Sequence, residues 1–299
     1  SIHDGLDRFV EISRTWQRKL AEACWIGVHW PAEFGGRGMS LLEEAISQEL
    51  LGEAGSPQLI NLFGLTMAGP VLLKHGTAEQ KNRFLKKILL AEEVWCQGFS
   101  EPEAGSDLAA LKTVAQRDAA DPKLWRITGQ KVWTGFAQYA DWCFMLVRTD
   151  STVPRHKGLS YFLVPMKQDA IRVRPLEQIT GESEFNEVFL DAAAVADDLL
   201  VGGPGKGWEI ALTTLMYERA ILTFGRFLQS ERLLEQIRVE LSKRPNAVVE
   251  RRIFGELAAR SLGARALALS HLAEYSTGRS PGAEGSLDKL GWSELFQRI

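Results

Sequence analysis

The chain has 299 residues, 45% of them hydrophobic and 24% charged, with a formal net charge of −3. That length buries a sizeable core shared between two or three structural units, and the composition is that of an ordinary soluble globular protein. The small net charge gives no general pull towards nucleic acid or anionic membranes, and no apolar run is long enough to span a bilayer. Cys24, Cys96 and Cys143 lack metal-ligand spacing and the five histidines are scattered, so no metal site is expected. Nothing resembling a secretory signal opens the chain, and a reduced, cytoplasmic setting is the simplest reading.

Residues 1–92 read as helices. Phe9, Ile12, Trp16 and Leu20 recur at helical spacing, and Leu41–Leu51 and Gln80–Leu90 are further helical runs. Gly35, Gly36 and Gly38 break the chain between the first two. From Val94 to Leu200 the texture becomes β-type. Trp125–Trp133 reads as strand–turn–strand around Gly129, and Cys143–Arg148, Leu159–Pro165 and Ile171–Pro175 are short runs bounded by turn residues. Gly202-Gly203-Pro204-Gly205 is the exit. Trp208–Arg244 contains no proline, and at about 1.5 Å per residue an unbroken helix there is roughly 55 Å long. Gly225 is its weak point, and Pro245 and Asn246 stop it. Arg251–Ser276 supplies another helix, and Leu287–Ile299 begins a third. The expected domains are 1–92 helical, 93–203 β, and 204–299 helical.

Two runs carry the chemistry. In Trp95–Asp107, Pro102 and Gly105 punctuate a tight loop that leaves Ser100, Ser106 and backbone N–H groups open to approach. Successive exposed N–H groups in a turn suit an anionic or carbonyl-rich ligand, although such a loop can also be only a turn. Gln130–Gly135 then places Trp133 and Thr134 beside Gly135; an indole in an apolar run serves either as core or as a platform.

Together these runs resemble the flavin-embracing segments of the acyl-CoA dehydrogenase family. The likeness extends through Gly27-Val28-His29-Trp30-Pro31 to Gly35-Gly36, then His75–Lys81, Tyr139–Trp142, Asn186–Asp191, Gly207-Trp208 and Tyr217-Glu218-Arg219. It implies an α+β fold with an N-terminal helical domain, a central β domain and a C-terminal helical bundle. Beside the family both ends stop short, where further segments normally contribute to the flavin site and, in some members, the base.

The resemblance implies FAD as cofactor, an acyl-CoA substrate and an electron-transfer flavoprotein as electron acceptor. Gln97, Phe99 and Ser100 would meet the flavin, with Gly105 and Ser106 near its diphosphate and Ser106 also near the substrate's pantetheine. Trp133 would pack on the isoalloxazine, with Thr134 and Gly135 facing N5. Many members carry Ser or Thr at the place of Gly135, so backbone contact would replace that side chain. Glu218 matches the base of the branch that includes isovaleryl-CoA dehydrogenase; the bland alternative is a structural ion pair with a neighbouring helix. Tyr217 and Arg219 would attend the substrate. Arg251, in an Arg-x-x-Phe-Gly run, either holds a neighbouring subunit's cofactor or is a solvated helix residue.

A homo-oligomer, or an assembly with a related subunit, is expected from the apolar breadth of the 208–244 segment and from the family's habit of assembling through its C-terminal helices. Two other functions fit the same residues. One is a non-catalytic partner subunit of a heteromeric dehydrogenase. The other is a flavin-dependent oxidase or monooxygenase on the same fold.

Overall fold

The structure, a computed structural model, describes the backbone of residues 2–277 and 282–299, and the side chains of 8–219, 226–277 and 282–299. Four helices come first: α1 (Ile2–Glu22), α2 (Leu41–Glu53), α3 (Gly69–His75) and α4 (Ala78–Leu89). Eight strands follow, then α5 (Gly207–Ser242), α6 (Val248–Ser276) and α7 (Glu284–Arg298). This is the α+β order of helices, sheet and helices that the sequence implies. The chain divides into two compact units. One comprises Ser1–Glu22 and Gln58–Thr214, the other Ala23–Pro57 and Leu215–Ile299.

The first unit is built on one eight-stranded sheet ordered β6-β7-β3-β2-β4-β5-β8, with β1 (Trp95–Gly98) paired to β4 (Trp142–Arg148). The other strands are β2 (Val114–Arg117), β3 (Leu124–Gly135), β5 (Leu159–Pro165), β6 (Ile171–Leu176), β7 (Phe185–Ala196) and β8 (Leu200–Val201). One face of β3, β4, β5 and β7 is apolar, and Ile127, Met145, Phe162, Val164, Val188 and Val195 bury there together. The expected turn at Gly129 is not a reversal of the chain. β3 runs straight through it, and Gly129 takes φ 154° at a register shift against β7. A glycine inside a strand marks such a bulge.

The helices of this unit are joined to the sheet through polar groups. Gln17 on α1 is fully buried, donates to Ile88 O (2.9 Å) and Leu89 O (3.1 Å), and accepts from Asn61 N. Asn61 then accepts from Trp95 N at 2.9 Å, which ties α1 and α4 to the start of β1. Of the expected apolar stripe on α1, Leu20 is buried and Phe9 and Trp16 are half-buried. Ser13 and Gln17 are buried, whereas Ile12 is 47% exposed. Between the clamp and α3 lies a π-helical turn, Gly64–Ala68, an element that often accompanies functional sites. The N-terminus of α4 has a capping box, with Thr77 accepting from Gln80 N and the Gln80 side chain accepting from Thr77 N.

The second unit packs α2, the later part of α5, α6 and α7. Ala45, Phe227, Ala268, Leu272 and Tyr275 form one cluster, and Leu234, Leu257 and Leu295 another. Arg265 on α6 bridges Glu49 on α2 and Glu231 on α5. Trp292 donates its indole N–H to Arg226 O at 2.9 Å. α5 is continuous through Gly225. Among the described residues, no helix is long and apolar enough to cross a membrane.

Candidate functional site

Within the first unit, the two sequence runs meet. Glu101 and Ala104 exchange backbone hydrogen bonds (3.0 and 3.1 Å), which closes the turn around Pro102. Val132 N donates to Ser100 O at 3.0 Å, so the end of β3 is zipped to the residue that opens this loop. Lys131, fully buried, completes the junction. Its ammonium donates to Phe99 O (3.0 Å), to Glu101 Oε1 (2.8 Å) and to Leu146 O on β4 (2.8 Å). Glu101 also accepts from the backbone N–H groups of Lys112 (2.6 Å) and Thr113 (3.0 Å).

Burial works to raise the Glu101 carboxyl, but the charge of Lys131 and these hydrogen bonds outweigh it and hold it below the usual carboxylate range. Burial lowers the Lys131 ammonium against the opposing pull of Glu101. The ammonium's three donors and most of the carboxylate's capacity are satisfied, which is the condition for tolerating a buried ion pair.

The predicted side chains fall into two groups around this junction. Phe99 is 5% exposed and lies edge-on to Phe144 and Tyr161, with centroids 5.9 and 6.0 Å away. Its ring therefore serves the core, leaving only its backbone for a ligand. Gln97 and Ser100 are half-buried, and Gly105 and Ser106 are exposed. Nothing lies within 4 Å of where a Gly105 side chain would begin, so the loop is open there.

At the other run, a second register shift against β7 falls between Lys131 and Thr134. Trp133 sits in it at φ 58°, and 62% of its surface is exposed. A bulky residue at positive φ is held there by its surroundings and stores backbone strain. Phe136 follows at φ 55°, fixed by its N–H to Glu184 O (2.7 Å). Thr134 is fully buried and its hydroxyl has no partner among the described residues. It points into the fold, so the expected hydroxyl of the 133–135 run is not presented at the surface. Asn186 on β7 donates to Thr134 O (3.0 Å) and Gln138 Oε1 (2.6 Å), fixing the far side of the bulge.

Tyr217, Glu218 and Arg219 belong to the second unit, as consecutive half-buried residues of α5. Burial raises the Tyr217 hydroxyl. Arg219 donates to Ser286 Oγ on α7 at 2.9 Å. Glu218 makes no hydrogen bond or ion pair with any described residue. Arg251 lies in the first turn of α6, beside the C-terminal end of α5, which is about 35 Å along the α5 axis from Glu218. Its guanidinium donates to Leu241 O (2.9 Å), in the last turn of α5, and to Arg244 O (3.3 Å), just beyond it.

Sequence models of three domains match in the order of the fold. The N-terminal domain of acyl-CoA dehydrogenase covers residues 3–92, the middle domain 96–193 and the C-terminal domain 205–299. The chain belongs to the acyl-CoA dehydrogenase family. It is 42% identical over 296 residues to acyl-CoA dehydrogenase IpdE1 of Mycolicibacterium smegmatis, covering 97% of this chain and 75% of that one. Among solved structures, the Tcur3481-Tcur3483 steroid ACAD is similar at 29% identity with TM-score 0.83, over 96% of this chain and 73% of that one. The ChsE4-ChsE5 complex from Mycobacterium tuberculosis is similar at 26% identity with TM-score 0.81, over 95% and 73%. The chain is thus an oxidoreductase of the class that acts on the CH–CH group of acyl-CoA.

Of the residues that shape this candidate site, sequence reading gave no role to Lys131, Glu101 or Phe63. A lysine in a β-run reads as solvated, and only the structure shows it enclosed. Phe63 abuts Gly135 from 72 positions earlier, a distance over which no periodicity speaks.

Proposed function

We propose that the chain catalyses FAD-dependent α,β-dehydrogenation of an acyl-CoA thioester and passes the electrons to an electron-transfer flavoprotein. The observation that carries this reading is the bulge that holds Trp133 out at positive φ, tied by Lys131 and Val132 to the open loop at Ser100–Ser106. The residues fit the cofactor: an exposed aromatic face, a loop with room at Gly105, and an exposed Ser106 hydroxyl. Trp133 would carry the isoalloxazine, Ser100 and Gln97 its polar edge, and Gly105 and Ser106 the diphosphate. Bound FAD supplies the hydride acceptor.

Glu218 takes the Cα proton in this reading. Its support is the resemblance, together with a half-buried place on α5 and the lack of any ion-pair partner among the described residues. Tyr217 and Arg219 line the same helix beside Glu218. The likeness to the steroid enzyme supports a bulky, ring-bearing acyl group as substrate. The likeness to a ChsE4-ChsE5 complex supports assembly with a related subunit.

The test is the visible absorption of the purified chain before and after anaerobic addition of an acyl-CoA. A bound flavin band that bleaches is the expected result. A bound flavin that does not bleach points to a non-catalytic subunit or to another substrate class.

A further inference from the structure

Arg219 is half-buried on α5, and among the described residues no carboxylate pairs with its guanidinium. Glu218 precedes it immediately, but adjacent residues of a helix do not face each other. The two charges therefore do not cancel. A guanidinium carries five N–H donors, and among the described residues one side chain meets them. Arg219 Nη1 donates to Ser286 Oγ on α7 at 2.9 Å. A hydroxyl is a neutral acceptor. It fixes the direction of the guanidinium and leaves the positive charge and the remaining donors uncommitted, whereas a carboxylate at that place would take up the charge.

The turn that carries Ser286 is itself held on two sides. Asp288, two residues on, is buried, and both its oxygens meet Nδ1 of His271 on α6, at 3.0 and 2.9 Å. One turn later Trp292 donates to Arg226 O (2.9 Å) and Ser230 Oγ (3.1 Å) on α5, with the Arg226 guanidinium 4.9 Å above its ring. Asp288 thus ties α7 to α6 and Trp292 ties it to α5, so Ser286 is presented to Arg219 at a set place.

We propose that Ser286 is a positioning residue, which aims the Arg219 guanidinium with its charge uncancelled at an anionic group of the CoA thioester. This rests on the reading of Arg219 as a substrate residue. The anionic groups of a CoA thioester are the phosphates of its carrier, remote from the reacting carbons. Ser286 accordingly serves binding of the carrier and not proton or hydride transfer.

The experiment titrates coenzyme A itself into the purified full chain by calorimetry, with the thermal midpoint as the measure of folding. Ser286→Ala is expected to weaken binding by about tenfold, the scale of one hydrogen bond to a charged group. Its midpoint should hold, because alanine suits a helix better than serine. Ser286→Thr keeps the hydroxyl and should restore the affinity. Arg219→Gln should weaken binding at least as much as Ser286→Ala, and adding Ser286→Ala to it should change nothing further. Wild-type affinity in Ser286→Ala, or an additive loss in the double variant, overturns the role of Ser286 alone. So does a lowered midpoint in Ser286→Ala, which is a packing effect. Wild-type affinity in Arg219→Gln takes Arg219 off the substrate and overturns the inference with it. A wild-type chain that binds no coenzyme A overturns the acyl-CoA reading as well.

Discussion

Lys131 and Glu101 show how a buried charge can serve a site without touching a ligand. The ammonium spans Phe99 O, Glu101 and Leu146 O, so it fixes the loop that opens towards Ser106 relative to the strands beneath. Replacing Lys131 with Met leaves Glu101 buried and uncompensated, and breaking such a pair costs about 3–5 kcal/mol. The urea midpoint should fall accordingly, and adding Glu101→Gln to Lys131→Met should recover part of the loss. The pH dependence has a definite sign. Glu101 is depressed in the folded state, so its contribution is present above the unfolded carboxyl value and is lost as pH falls through the lower, folded one. Wild type should therefore lose stability below the ordinary glutamate range more steeply than Glu101→Gln in thermal melts at stepped pH. For the proposed base, Glu218→Gln preserves shape and removes the carboxylate. Folding and flavin content should stay near normal, while flavin reduction by acyl-CoA slows by on the order of 10²–10⁴-fold in stopped-flow absorbance. Full-speed reduction would place the base elsewhere, and loss of folding would indicate a structural role.

At the scale of elements, the bulge in β3 is the feature on which the cofactor reading depends. Trp133→Ala removes a large aromatic face from an already strained turn, so bound FAD should dissociate about tenfold more readily, roughly 1.4 kcal/mol. Unchanged flavin content and spectrum in a well-folded variant would take Trp133 off the isoalloxazine. The strands and helices around it were legible to different degrees. α2, α4, β4 and β5 lie close to their expected spans because each carries one dominant signal, a capping residue or an unbroken apolar run. β3 was misread as a hairpin because glycine signals turns and bulges alike, and only pairing with β7 decides between them. α1 buried Ser13 and Gln17 in place of Ile12 because a clamp of amide hydrogen bonds, invisible to hydropathy, fixed its rotation. The site was legible in the same uneven way. Trp133 and Ser106 are exposed, whereas the ring of Phe99 and the hydroxyl of Thr134 face the interior, since sequence spacing says which residues lie near one another but not which way they face.

For the whole molecule, the second unit exposes more apolar surface than a self-sufficient bundle needs. On α6, Val249, Ile253, Leu262 and Leu267 are 62%, 47%, 65% and 48% exposed, and on α7, Leu287 and Leu290 are 61% and 56% exposed. Single exposed leucines are common, but Val249, Ile253 and Leu267 recur on one face of α6, and an apolar face of that kind is ordinarily covered by another chain. Closed symmetric pairing, or pairing with a related subunit of the same shape, covers such a face without leaving it open to further growth. The chain should therefore sediment as a dimer or larger assembly at micromolar concentration, alone or co-expressed with a related subunit. Leu267→Glu combined with Leu290→Glu places a charge on the exposed apolar side of α6 and one on α7. It should shift the sedimentation coefficient towards that of a single chain while leaving the far-ultraviolet circular dichroism unchanged. A wild-type chain that sediments as a monomer under both conditions would remove the oligomer. An assembly that the paired glutamates leave intact would move the interface off α6 and α7.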